Sequence, residues 1–193
     1  MENNLHNIYL FRAIEAYPYE LAKAIEALNY ALSYEPNNVK ALCLMAKVQS
    51  EQLGNYKAAK EYYENALAIN MDNPDIYPEF IRFLVNSHDF DEAQKLIDFA
   101  INVKGIDKAG IKLAQGYLYE ALSEFEKAED ALKEAKMFGL NSEFDYFVDE
   151  VIARVSKKRK LQNNKNRVKE PVEKKEVEAT SNNWFKNRLN NLL

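Results

Sequence analysis

Large and small apolar residues recur along this chain in a fixed order: Leu21-Ala24-Leu28-Ala31, Tyr56-Ala59-Tyr63-Ala66, Phe90-Ala93-Ile97-Ala100 and Phe125-Ala128-Leu132-Ala135. The offsets of three, four and three put the four side chains of each set on one helix face. Alanine at two of the four positions lets a neighbouring helix approach closely. The sets start 35, 34 and 35 residues apart, and a period of this length marks a helical solenoid built from repeated units.

The same periodicity predicts helices at about 5–16, 20–34, 39–52, 55–70, 74–86, 90–103, 108–122 and 125–137. The first must stop near Pro18, which lacks an amide donor and restricts the residue before it. Its apolar face is set by Leu5, Ile8 and Phe11. Turns are expected at Gly54-Asn55, His88-Asp89 and Gly139; His88 stands where the chain needs a left-handed residue, which histidine tolerates better than most. Asn141-Ser142-Glu143 then starts another helix by its capping residues. Its strip of Phe144, Phe147, Val148, Val151, Ile152 and Val155 has no repeat signature, so it reads as a cap covering the last unit as far as Arg159. From Lys160 the pattern fails, and residues 160–181 offer too little apolar surface to offset the entropy of ordering. They are expected to form a disordered charged linker. Residues 182–193 differ again: Trp184, Phe185, Leu189, Leu192 and Leu193 would share half the circumference of a helix, opposite Lys186, Asn187 and Asn190.

The four sets resemble the tetratricopeptide repeat, a helix-turn-helix unit whose second helix carries this large-small-large-small signature. Gly116 and Tyr119 match its first-helix glycine and tyrosine in the fourth unit, Gly54 matches its turn glycine in the second, and Pro36-Asn37-Asn38 closes the first. The usual tryptophan is replaced by Ile8, Leu42, Tyr77 and Lys112, and the turn glycine by Tyr19, His88 and Ser123. The resemblance implies an all-α, right-handed α-solenoid of about four repeats (5–38, 39–73, 74–107 and 108–140). A capping helix at 141–159, the linker at 160–181 and a terminal amphipathic segment at 182–193 follow.

In that family the first helices line a concave groove that commonly binds an extended peptide or a helix. Carried over by position, the groove residues are Tyr9, Lys40, Lys47, Ser50, Arg82, Leu113, Tyr117 and Glu120, with Ala13, Cys43, Asp75 and Pro78 among them. Lys47 and Arg82, at equivalent places in adjacent repeats, can attract an acidic ligand or pair with Glu51, Asp75 or Glu79. The subgroup that clamps the carboxyl terminus of heat-shock chaperones needs a set of lysines, asparagines and arginine where this chain has Tyr9, Ala13, Leu44, Asp75 and Glu79, so that ligand is not implied.

Composition narrows the function. The formal charge of −4 divides into 14 basic and 26 acidic residues over 1–153 and 12 basic and 4 acidic over 154–193, so an acidic body carries a basic tail. An acidic body repels a phosphate backbone, which argues against nucleic acid. Cys43 is the sole cysteine, so there is no internal disulfide or cysteine-rich zinc site, and a reducing, cytoplasmic setting is expected. The start Met1-Glu2-Asn3-Asn4 lacks the pattern of a signal peptide. His6 and His88 are far apart in the expected array, and no phosphate-cradling loop, paired-histidine motif or nucleophile elbow occurs. The expectation is therefore a non-enzymatic scaffold or adaptor without cofactor or metal, binding a protein or peptide in its groove. Its tethered docking motif (Trp184, Phe185, Arg188, Leu189, Leu192, Leu193) would engage a second protein or the chain's own repeats. The alternative is a peripheral membrane recruiter anchored by the basic tail and terminal helix.

Overall fold

The computed structural model describes residues 3–169, with side-chain surroundings defined for residues 8–164. Among the described residues there are nine helices and no strand: α1 (Asn3–Ala16), α2 (Leu21–Tyr34), α3 (Val39–Glu51), α4 (Tyr56–Ile69), α5 (Ile76–Asn86), α6 (Phe90–Ala100), α7 (Lys108–Ala121), α8 (Phe125–Phe138) and α9 (Ser142–Lys169). The first eight pair in chain order as four hairpins, each packed on the next, an all-α solenoid. The chain divides into two units, Met1–Val155 and Ser156–Leu193. The first contains the array and the opening half of α9; of the second, only the continuation of α9 is described. The terminal segment 182–193 and most of the expected linker lie outside the described residues.

The recurring alanines are the reason the hairpins close. Ala24, Ala31, Ala59, Ala66, Ala93, Ala100, Ala128 and Ala135 are all at most 1% exposed. The third residue of each set, Leu28, Tyr63, Ile97 or Leu132, is buried with them, and each such side chain contributes roughly 1.5–3 kcal/mol. At Gly116 a Cβ would stand 2.7 Å from Cγ and Cδ2 of Leu132, so α7 and α8 approach too closely for any side chain there. Ala93→Leu is expected to cost about 1–3 kcal/mol through overpacking, whereas Lys95→Leu, exposed on the same helix, should change little. Equal melting temperatures for Ala93→Leu and the parent would break the register.

The turns follow the same economy. Gly54, His88 and Ser123 have φ of 63°, 65° and 62°, as expected of the three turn positions that follow α3, α5 and α7. After α5 and α7 the chain closes with the helix-terminating pair in which Asp89 N–H reaches the Leu84 carbonyl at 2.9 Å and Glu124 N–H the Tyr119 carbonyl at 2.9 Å. Asparagine side chains start three helices: Asn38, Asn55 and Asn141 accept from the N–H of Ala41, Ala58 and Phe144 at 3.0, 3.3 and 2.8 Å.

Two elements depart from the sequence expectation. In α1, Ile8 and Phe11 do not face the core: they are 45% and 64% exposed, while Leu10, Ala13 and Ala16 are buried. A helix turned to bury Ile8 and Phe11 would also swing Arg12 and Glu15, four and seven residues on from Ile8, toward α2. Leaving apolar surface in water costs less than burying two unpaired charges. The helix is therefore rolled. The second departure is the length of α9, which continues to Lys169 where a linker was expected from Lys160. Residues 156–169 contain no glycine or proline, are rich in lysine and arginine, and place positive charge at a helix C-terminus, all of which favour helix.

Candidate functional site

The first helices of successive repeats meet along one floor, and charged side chains link them there. Arg82 on α5 is the centre. Its Nη2 donates to Glu51 Oε1 of α3 at 2.9 Å and to Glu79 Oε2 of its own helix at 2.5 Å. Lys47 Nζ of α3 lies 3.8 Å from the same Glu79 oxygen and 5.7 Å from the ring centre of Tyr17. Tyr17, just beyond α1, donates its hydroxyl to Glu51. Burial works against the charge on Arg82, but the carboxylates of Glu79 and Glu51 outweigh it, and its pKa is raised. These groups are more than a quarter exposed, so each pair adds little stability. What they fix is the orientation of the side chains.

Beside Arg82 the surface opens into a cleft of about 280 Å³, lined by Ser50, Glu51, Tyr56, Tyr63, Glu79, Arg82, Phe83 and Asn86. One wall is aromatic and rigid, because Tyr63 is stacked on Phe80 at 5.0 Å and tilted against Phe83 at 5.4 Å. The other wall offers amide, hydroxyl, guanidinium and carboxylate groups. A ligand carboxylate entering here can displace Glu51 or Glu79 from Arg82, and a ligand cation can take up the released carboxylate. Cys43 is half-buried, and burial, followed by the charges of Glu79 and Asp75, pushes its pKa up to about 11. At neutral pH it is a thiol and not a nucleophile. Among the described residues no group of three or more His, Cys, Asp or Glu is placed to hold a metal.

The residues expected from sequence separate into three groups. Ser50 and Arg82 line the cleft and Lys47 reaches toward its Glu79, with Lys40 exposed at the start of α3. Tyr9 is held by its own hairpin, stacked on Tyr30 and Tyr34 of α2 at 5.1 and 5.9 Å. Leu113, Tyr117 and Glu120 form the seat of α9. The first two pack on the cluster of Val148, Val151 and Val155. Glu120, its side chain 9% exposed, accepts from Arg154 through Nε at 3.1 Å and Nη2 at 2.7 Å. Arg154 also lies 5.8 Å from the ring centre of Tyr117. The hydrogen bonds to Glu120, opposed by burial, raise the pKa of Arg154. The expected docking residues Trp184, Phe185, Arg188, Leu189, Leu192 and Leu193 lie outside the described residues.

Sequence reading missed Tyr17, Tyr56, Tyr63, Phe83 and Asn86. A signal for the first was present: Tyr17–Glu51 and Glu120–Arg154 are both polar pairs 34 residues apart, one repeat length. Burial and then the hydrogen bond to Glu51 push the Tyr17 pKa up to about 12, against about 10 in an unfolded chain. Between those values the folded chain keeps a proton that the unfolded chain has released. Stability present below pH ~10 therefore drains away as pH rises toward ~12. Tyr17→Phe should flatten that alkaline loss in urea midpoints measured across the window; an unchanged slope would show that the folded chain does not hold the Tyr17 phenol protonated.

Residues 51–101 match the family model described as tetratricopeptide repeat. Solved structures share the fold. The Pseudomonas aeruginosa pilF structure superposes with a TM-score of 0.71 at 18% identity, covering 82% of this chain and 70% of that one. A thermophilic tetratricopeptide-repeat protein of Thermus thermophilus gives 0.63 at 22% identity, covering 78% and 80%. PilW, described as a widely conserved type IV pilus biogenesis factor, gives 0.62 at 23% identity, covering 68% and 60%. No curated protein matches by sequence.

Proposed function

We propose, from the premise that this chain is a tetratricopeptide-repeat protein, that it acts as an interaction scaffold holding a peptide or helix of a partner on the floor of repeats one to three. Tetratricopeptide repeats mediate protein–protein interaction, and the proposal concerns where and how this chain does so. The observation that carries it is the cleft at Arg82: an open, amphipathic hollow whose aromatic wall is rigid and whose charges are paired with one another and so exchangeable for those of a ligand. Repeat four contributes scaffold and not surface, since α9 is seated on Leu113, Tyr117 and Glu120. In this reading the chain is an adaptor without catalytic chemistry in a cytoplasmic setting, and residues 182–193 are a tethered motif for a second partner. Tethering raises the effective concentration of that motif to the millimolar range for a short flexible linker.

The test is quantitative affinity capture with the full chain, with Arg82→Glu, and with a chain ending at Ser181. The reading expects one set of proteins to be lost with Arg82→Glu and another with the truncation. If every captured protein is retained by Arg82→Glu, with circular dichroism showing that the variant is folded, the groove reading fails.

A further inference from the structure

We propose that the helical segment Ser156–Lys169 is a docking element for an anionic lipid surface. These fourteen residues carry seven Lys or Arg and no acid, between Glu150 and Glu170, and α9 keeps them helical to its end. Their order is not uniform. Steps of four, four and three put the positions of Lys157, Leu161, Lys165 and Val168 in line along one side of the helix, with those of Lys158 and Lys169 beside the line. Four lysine positions thus frame two apolar ones, while Ser156, Asn163 and Asn166 fall on the other side with Arg159, Lys160 and Arg167, so the charge surrounds the helix and the apolar positions share one side of it. Leu161 is 55% exposed.

This is the arrangement that a lipid interface rewards. Lysine stems can lie along apolar surface with the ammonium among headgroup phosphates, and an apolar residue between them reaches toward the acyl boundary. Each basic residue held near an anionic leaflet strengthens attachment roughly fivefold. A single weak signal of this kind gives reversible attachment. Nucleic acid matches less well, because no aromatic residue interrupts the basic run to stack on bases. The apolar positions inside the lysine frame would also have no role against a phosphate backbone. The inference concerns Ser156–Lys169 alone and does not depend on the groove.

The experiment is flotation of the full chain with vesicles of phosphatidylcholine alone or with about a third phosphatidylserine. Binding is expected only with phosphatidylserine at ~0.1 M salt, fading as salt is raised. The full-length triple variant Lys157→Glu, Lys165→Glu, Lys169→Glu should bind at least about a hundredfold more weakly, and Leu161→Asp should also weaken binding. Lys57→Glu, on α4, should bind as the parent does. Circular dichroism would confirm that each variant keeps its helix content. Equal flotation with both vesicle types, full binding by the triple variant, or a mobility shift with duplex DNA in the absence of vesicle binding would each overturn the proposal.

Discussion

Phe80→Ala is expected to cost the array about 3–5 kcal/mol, the usual loss for an aromatic deleted from a packed core. Phe80 is 2% exposed and lies within 5.0 Å of Tyr63 and 6.3 Å of Phe83, ring centre to ring centre. It therefore joins the second hairpin to the third through α4 and α5. A domain of this size has total stability of about 5–15 kcal/mol, so the midpoint of urea denaturation should fall steeply. A broadened transition is also expected, because a solenoid weakened at one interface loses cooperativity between its two sides. Phe11→Ala is the control. That ring is 64% exposed, and its removal should stay within about 0.5 kcal/mol. A loss above about 2 kcal/mol for Phe11→Ala would mean that α1 is not rolled as described.

The second large effect is expected from a chain ending at Gly139. Removing α9 uncovers Ala128 and Leu132, both 0% exposed in the folded chain, and takes away the burial of Val148, Val151 and Val155. At roughly 1.5 kcal/mol or more for each valine, the loss is about 5 kcal/mol before any contact of Phe144 or Ile152 is considered. Glu120 also loses Arg154 and is left as a carboxylate on a newly apolar end. Solenoid ends without a polar-faced cap associate. Light scattering after size exclusion should find oligomers or aggregate. If that chain stays monomeric and as stable as one ending at Lys160, α9 is not a cap.

Most of the fold was legible because it depends on local spacing. The eight alanines specified four helix crossings, and all eight are buried. His88 was readable as a left-handed turn residue from its place between two apolar runs, and its φ is 65°. The roll of α1 was harder to read, since Ile8 and Phe11 fit a helical face as well as Leu10, Ala13 and Ala16 do. Only the inward swing of Arg12 and Glu15 decides between the faces, and that is a tertiary cost. At the site, the types of the charged residues were legible and their mutual pairing at Arg82 was among the readings. The cleft was not, because Tyr56, Tyr63, Phe83 and Asn86 come from helices whose superposition no linear spacing encodes. Leu113, Tyr117 and Glu120 lie on α7, as the spacing places them, and are seated against α9.

Helix α9 begins 34 residues after α7, where the opening helix of a fifth hairpin would start. It lacks the punctuation to become one. No alanine occurs between Ala153 and Ala179, and the helix runs on unbroken to Lys169. Among the described residues, what separates α9 from the start of a fifth hairpin is thus one turn and one alanine signature. Supplying that turn and that signature within this short stretch would leave every earlier interface as it stands.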